Sequence, residues 1–153
     1  MDSYEFLRQP VEMQDQILNL MDIGRLAAVY NDISQIKRVY PDETEYIDNI
    51  LGRIRLRADL FFTSRDDLVS LNRLQDVRWL LENHPHLNDM FAATLSLAVF
   101  NNYVEMADLL YNNNIRNLSY EEILSLEELS FTLSPDMLDW LFNHGYIRQR
   151  YAI

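Results

Sequence analysis

The sequence contains no cysteine among its 153 residues. A disulfide framework, a thiolate metal site and a cysteine nucleophile are therefore excluded. Glycine occurs three times and proline four times, too few for the many tight turns of a strand-rich fold. Long apolar runs are also missing, and no stretch approaches the roughly 20 residues that a membrane-spanning helix needs. The sequence therefore predicts a soluble, all-α protein whose helices are joined by short loops.

The charge balance is strongly acidic, with 24 acidic against 13 basic residues and a net charge of -11. Such a field repels phosphate backbones and anionic lipids, so we expect neither nucleic acid nor membrane as a partner. The basic cluster of Arg53, Arg55 and Arg57 is expected to be a solvated face, since no aromatic residues interleave with it. Asp2 and Glu5 near the start do not fit a secretory signal, which favours an intracellular, cytoplasmic protein. A protein partner remains the common case.

Three pairs of residues have the pattern of a helix start: Ser64 with Asp67, Ser119 with Glu122, and Ser134 with Pro135. The first two have capping-box spacing, in which a hydroxyl and an acid satisfy backbone N–H groups. The third places proline at the first helical position, where its missing N–H costs nothing. Each pair predicts that a helix begins there.

The chain repeats itself at a step of about 30 residues, the scale of helical repeat arrays. Residues 78–84 align with residues 108–114, which align with residues 139–145. Trp79 and Trp140 fall at equivalent positions, which we expect to be buried. Each copy covers a helix, a turn and a second helix. Because one copy has an apolar stripe too small to bury alone, neighbouring copies are expected to stack.

Residues that tolerate a left-handed backbone stand at equivalent places in these copies. Asn72 and Asn102 occupy the turn between the two helices, and His84, Asn114 and Gly145 follow the second helix. Glycine and asparagine adopt this conformation most easily, and histidine is enriched in it. We predict a left-handed residue at each site.

The middle copy, residues 95–115, resembles an ankyrin repeat in its two helices. In that family a Leu and an Ala pack the first helix, a Gly makes the turn, a Glu and two aliphatics open the second helix, and a Leu-Leu pair buries it. Those roles would fall on Leu97, Ala98, Asn102, Glu105, Met106, Ala107, Leu109 and Leu110. The family's Thr-Pro-Leu-His opening survives only as Thr94 and Leu95. The resemblance covers residues 64–153 and implies stacked helix pairs that bind a protein.

The resulting prediction is an N-terminal helical segment in residues 1–62 followed by three irregular ankyrin-like repeats in residues 63–153. Ankyrin-type repeats commonly reach partners from the turn between their helices. On this resemblance Asn102, Tyr103 and Tyr111 are the candidate partner-binding residues of the repeat surface, and tyrosine is favoured in interface cores.

The segment from Leu7 to Val29 resembles an F-box, a family that opens with Leu-Pro, a nearby acid, an Ile-Leu pair and spaced leucines. The matching residues in order are Leu7, Pro10, Glu12, Ile17, Leu18, Met21, Leu26 and Val29. Two extra residues separate Leu7 from Pro10, and the tryptophan often found later in the family is absent. The resemblance implies docking on the Skp adaptor of a cullin-RING ubiquitin ligase. The implied contacts are Pro10, Glu12, Ile17, Leu18 and Leu26, and the fusion with repeats resembles proteins of large DNA viruses that redirect host ubiquitination.

Two other interpretations of this stretch are open. One helical face holds several of the same residues, as a packed amphipathic helix would: Val11, Gln14, Ile17, Leu18 and Met21. Residues 27–36 also look like the turn region of an ankyrin repeat, with Asn31 in the place of Asn102. On that interpretation the protein has four irregular repeats and no F-box.

No residue pattern supports catalysis. His84 and His86 lack a third ligand at metal-binding spacing, so we expect a loop at a repeat end. The acid pairs at 121–122 and 127–128 are expected on a solvated helix face, and no phosphate-binding glycine loop or nucleophile elbow occurs. The sequence therefore predicts no enzyme, cofactor or metal site, but a protein-interaction adaptor. The alternative is an acidic binding protein that covers a basic site on a protein partner.

Overall fold

The computed structural model describes residues 2–128 and 132–148, except for the side chain of Pro41. These residues form ten α-helices and no β-strand, so the prediction of an all-α fold is confirmed. The chain divides into two compact units, with the boundary between Thr63 and Ser64.

The first unit has two short helices followed by a long helical hairpin. Its helices are α1 (Ser3–Leu7), α2 (Val11–Asn19), α3 (Ile23–Val39) and α4 (Thr44–Phe62). A short 3₁₀ turn, Pro41–Glu43, joins α3 to α4. The carboxylates of Asp2 and Asp22 cap α1 and α3, each accepting a backbone N–H at 2.8 Å. These bonds satisfy donors that have no partner within the helix.

The core of the first unit consists of nine buried apolar side chains: Phe6, Leu18, Leu26, Ile33, Ile36, Ile47, Ile50, Leu51 and Ile54. The buried residues of α3 are Leu26, Ile33 and Ile36. Their spacings of seven and three residues place them on one continuous face of the helix. The helix therefore runs through Asn31 without a turn. The interpretation of residues 27–36 as the turn of a fourth repeat is wrong.

The second unit contains two packed helix pairs and two further helices. The first pair is α5 (Arg65–Ser70) with α6 (Leu74–Asn83), and the second is α7 (Leu95–Phe100) with α8 (Val104–Asn112). A 3₁₀ segment, Pro85–Phe91, connects the pairs. The helices α9 (Tyr120–Glu128) and α10 (Pro135–Asn143) follow, and α10 packs against α8.

Four of the five predicted left-handed residues are confirmed. Asn72, Asn102, Asn114 and Gly145 have φ angles of 55°, 62°, 66° and 78°. After each, the next backbone N–H donates to the carbonyl five residues earlier and closes the helix end. His84 has a φ of -132°, so that prediction is wrong. A proline follows His84, and the residue before proline is pushed towards extended backbone.

Two of the three predicted helix starts have the expected side-chain bonds. The Ser119 N–H donates to the Glu122 carboxylate and the Glu122 N–H donates to the Ser119 hydroxyl, both at 3.1 Å. The Ser134 hydroxyl accepts the Met137 N–H at 3.1 Å. Ser64 stands before α5 but makes no capping hydrogen bond. Its partner in the predicted box is an aspartate, one methylene shorter than the usual glutamate.

The capping box of α9 makes part of the stability pH-dependent. Burial raises the pKa of Glu122, but hydrogen bonds from the Ser96 hydroxyl and from the N–H and hydroxyl of Ser119 outweigh it and leave this pKa below its ordinary value. A carboxylate with a depressed pKa stabilises the fold above its unfolded-state pKa of about 4.3 and loses that effect as pH falls through the folded-state pKa.

We therefore expect Glu122→Gln to destabilise the protein at pH 7, and we expect the difference from the parent to shrink as pH falls below the unfolded-state pKa. Glutamine keeps the length of the side chain but not its charge, so the variant isolates the ionisation. Thermal unfolding of both proteins between pH 3 and pH 7 measures the difference. A difference that is constant across this range would contradict the assignment.

Candidate protein-binding surfaces

The structure divides the five F-box-like residues into a buried and an accessible group. Leu18 and Leu26 are fully buried, with 0% exposure, so neither is accessible to a partner in the folded unit. Both belong to the core of the first unit, where burying a leucine contributes roughly 1.5–3 kcal/mol. Pro10 and Glu12 are exposed and Ile17 is half-buried. Only the last three could touch a partner without unfolding.

An apolar stripe that the sequence analysis missed follows the accessible side of α2. Met13 is 44% exposed and Leu20, directly after the helix, is 78% exposed. With Pro10 and Ile17 they stand at steps of three, four and three residues, the spacing of neighbours on one helix side. We call Pro10, Met13, Ile17 and Leu20 the α2 stripe.

The predicted solvated basic face is instead an ion-pair network for two of its three arginines. Arg53 and Arg57 both bind the Asp15 carboxylate, at 2.8 and 3.2 Å, and their side chains are only 17% and 16% exposed. Arg53 also donates to the buried Gln14 at 2.7 Å. Burial lowers the pKa of Arg57 while Asp15 opposes this shift. These arginines hold α2 against α4.

Asn102 and Tyr103 connect three consecutive turns of the second unit. The Asn102 carboxamide donates to the Thr132 carbonyl at 3.4 Å and accepts the Ser134 N–H at 2.8 Å. The Tyr103 hydroxyl donates to the Ser70 carbonyl at 3.1 Å. Both predicted partner-binding residues therefore have their polar groups engaged within the unit. This role as a turn ladder was not predicted from the sequence.

Tyr111 lies in an aromatic cluster between α8 and α10. Its ring meets Trp140 and His144 edge-on, with centroids 5.8 and 4.5 Å apart, and the Arg116 guanidinium lies over it at 4.3 Å. Trp140 is buried, as predicted, and donates to the Asp108 carboxylate at 3.1 Å, whereas the equivalent Trp79 is half-buried. Tyr111 is half-buried too, so much of its ring stabilises the contact between these helices.

The first helices of the copies present a surface that is both apolar and acidic. We define the first-helix surface as the exposed side of α5, α7 and α9 together with Leu71, the residue that follows α5. Its large apolar members are Leu71, Phe100, Tyr120 and Leu124, which are 69%, 40%, 75% and 40% exposed. Its acidic members are Asp66, Asp67, Glu121, Glu127 and Glu128. Of these members, Glu121, Glu127 and Glu128 were predicted from the sequence to be solvated.

Contacts between the helices place this surface on neighbouring elements. Helix α5 packs on α7, and the Ser96 hydroxyl of α7 reaches the Glu122 carboxylate of α9. The one basic residue of the three helices, Arg65, is buried with 7% exposure. The exposed charges of the first-helix surface are therefore all negative.

Within the described residues, no three histidine, aspartate or glutamate side chains cluster as ligands for a metal ion. Among the same residues, no helix is long and apolar enough to cross a membrane. No protein-family model, curated protein or solved structure matches this chain.

Proposed function

We propose that the protein is a protein-binding adaptor whose first-helix surface holds a basic, amphipathic segment of a target protein. The observation that carries this proposal is the exposure of four large apolar side chains, among them Leu71 and Tyr120, within a surface whose charges are all acidic. Apolar patches rimmed by polar residues mark protein interaction sites.

The charge of the second unit supports a basic partner. Residues 64–153 contain 13 acidic residues and six arginines, so the field around this unit attracts cations. Complementary charge steers association and selects the partner, while buried aromatic and apolar anchors supply most of the affinity. Phe100 and Leu124 are the anchors, and Glu121 and Asp67 are rim charges that would meet lysine or arginine.

Peptides selected from a random display library against the full chain are expected to combine lysine or arginine with aromatic or aliphatic residues. The double variant Phe100→Ala, Leu124→Ala should bind these peptides at least about tenfold more weakly, because two anchors at roughly 1 kcal/mol each are lost. Glu121→Lys should also weaken binding and flatten its dependence on salt. Fluorescence anisotropy measures both effects.

The matched control is Asp136→Lys, which makes the same charge change at an exposed position of α10. It should leave peptide affinity within about twofold of the parent, because Asp136 lies on α10, which is not part of the first-helix surface. Neutral or acidic selected peptides would contradict the proposal. So would equal losses of affinity in Glu121→Lys and Asp136→Lys.

The α2 stripe favours a second function, recruitment of a cullin-RING ubiquitin ligase through a Skp-type adaptor. Leu20 and Met13 are large apolar side chains held in solvent on the segment that resembles an F-box. A helix that presents such residues at i, i+3 and i+7 can dock in an apolar groove. Complex formation with a purified Skp-type adaptor is the test, and Leu20 is the contact to change.

A further inference from the structure

A groove of 580 Å³ lies along the helical hairpin of the first unit, between α3 and α4. Two contacts between the helices lie among its walls. The Lys37 ammonium pairs with the Asp48 carboxylate at 2.6 Å, and the Arg55 guanidinium donates to the Tyr30 hydroxyl. Because residue numbers rise along α3 as they fall along α4 in these contacts, the helices are antiparallel.

Small residues occupy both walls between these two contacts. Ser34 lies between Tyr30 and Lys37 on α3, and Gly52 lies between Asp48 and Arg55 on α4; all line the groove. A Cβ added at Gly52 would have no atom within 4 Å. Glycine in the interior of an exposed helix is less stable than alanine. Since no internal contact requires a glycine, its effect is to leave the middle of the groove open.

The groove is cationic in a strongly acidic chain. Lys37, Arg38 and Arg55 line it with one carboxylate, that of Asp48. Lys37 has three N–H donors and Arg55 has five, and one donor of each is used in the contact with Asp48 or Tyr30. The Arg55 guanidinium also lies 5.4 Å from the centre of the Tyr30 ring. These contacts hold cations on opposite walls before any ligand arrives, which lowers the cost of binding.

We propose that this groove, in which Lys37 and Arg55 stand on either side of the opening at Ser34 and Gly52, binds the phosphate monoester of a phosphorylated protein segment. A phosphate monoester carries about -1.5 to -2 charge at pH 7 and three acceptor oxygens, so it can bond to both walls at once. A carboxylate carries a charge of only about -1 and has two acceptor oxygens. The Ser34 hydroxyl, in the same lining, already donates to the Tyr30 carbonyl at 2.8 Å, so the ammonium and guanidinium groups supply the N–H donors to the phosphate.

The test measures binding of the full chain to a phosphoserine peptide library and to the same library without phosphate. We expect the phosphorylated library to bind at least about tenfold more tightly, and inorganic phosphate to compete with it. Arg55→Gln and Lys37→Gln should each weaken phosphopeptide binding about tenfold, the scale of one charge-assisted contact. Arg25→Gln, the same change at an exposed position of α3 outside the groove, should have no effect.

A steric variant separates the groove from a general charge effect. The Cβ of Gly52→Leu would meet no atom within 4 Å, and leucine is a better helix former than glycine. The thermal midpoint should therefore rise, while the leucine side chain occupies the opening and phosphopeptide binding is lost. Ala28→Leu, on an exposed part of α3 outside the groove, should leave binding unchanged. Equal affinity for both libraries, or full binding by Gly52→Leu, would overturn the proposal. Binding only to vesicles that contain phosphoinositides would do so as well, because the ligand would then be a lipid.

Discussion

Replacing Leu18 by aspartate is expected to unfold the first unit, whereas the same change at Leu20 is expected to leave it folded. Leu18 is 0% and Leu20 is 78% exposed. Truncating a buried leucine costs about 2–5 kcal/mol, and burial of a carboxylate adds several more. A unit of this size is expected to be stable by roughly 3–9 kcal/mol. The combined cost is as large as most of that range, so the unit should unfold. An exposed substitution stays within about 0.5 kcal/mol, and urea unfolding followed by circular dichroism separates the two results.

Leu20, together with Met13, tests the recruitment of a ubiquitin ligase. The folded double variant Met13→Asp, Leu20→Asp should fail to co-purify with a Skp-type adaptor that the parent retains. Val39→Asp, a change at another apolar residue of the unit that is 66% exposed, should retain it. Persistence of the complex in the double variant would remove the α2 stripe as the contact. Loss of the complex in Leu18→Asp reports only unfolding.

Asn102→Ala is expected to destabilise the second unit by roughly 2–3 kcal/mol, since it adds strain from the left-handed backbone and removes two hydrogen bonds. Asn102→Gly tolerates the φ of 62° but still lacks the carboxamide that binds the chain at Thr132 and Ser134. It should lose about half as much, or roughly 1–2 kcal/mol. Chemical unfolding of the three proteins measures the series.

Asn72→Gly provides the comparison, because Asn72 is exposed and also left-handed, with a φ of 55°. We expect this change to be within about 0.5 kcal/mol of neutral, as for other exposed positions where glycine fits the backbone. If Asn102→Gly were equally neutral, the two hydrogen bonds of the Asn102 carboxamide would contribute nothing to stability. A loss of stability in Asn102→Gly but not in Asn72→Gly would show that the Asn102 side chain, and not only the turn, joins the copies.

Features set by neighbours in the sequence were predictable. The helix starts and the left-handed turns are formed by hydrogen bonds between residues no more than six positions apart. Examples are the starts at Ser119 and Ser134 and the turns at Asn102 and Gly145. The error at His84 was also local, because the effect of the following proline on backbone conformation outweighs the preference of histidine for left-handed turns. Weighing the two effects at that position would have corrected it.

Features that depend on distant partners were not predictable in the same way. Leu18 and Leu20 are both apolar residues near the end of one helix, and only the position of α2 in the folded unit decides which is buried. Arg53 and Arg57 are solvated or paired according to whether Asp15, about 40 positions away, lies within reach. For the candidate surfaces, the composition predicted acidic charge and a protein partner. Which apolar side chains are exposed depends on how the helices pack, so the anchors were known only from the structure.

The cross-helix pair in the first unit includes the one side chain of the sequence that lysine acylation can modify. Lys37 is the single lysine of the sequence, and its Nζ lies 2.6 Å from Asp48. Acetylation would remove its charge, release the carboxylate and take one cation from the groove. Under the proposed recruitment of a ubiquitin ligase, this sequence would offer the ligase one ε-amino group of its own, so we expect it to be a poor substrate of that ligase.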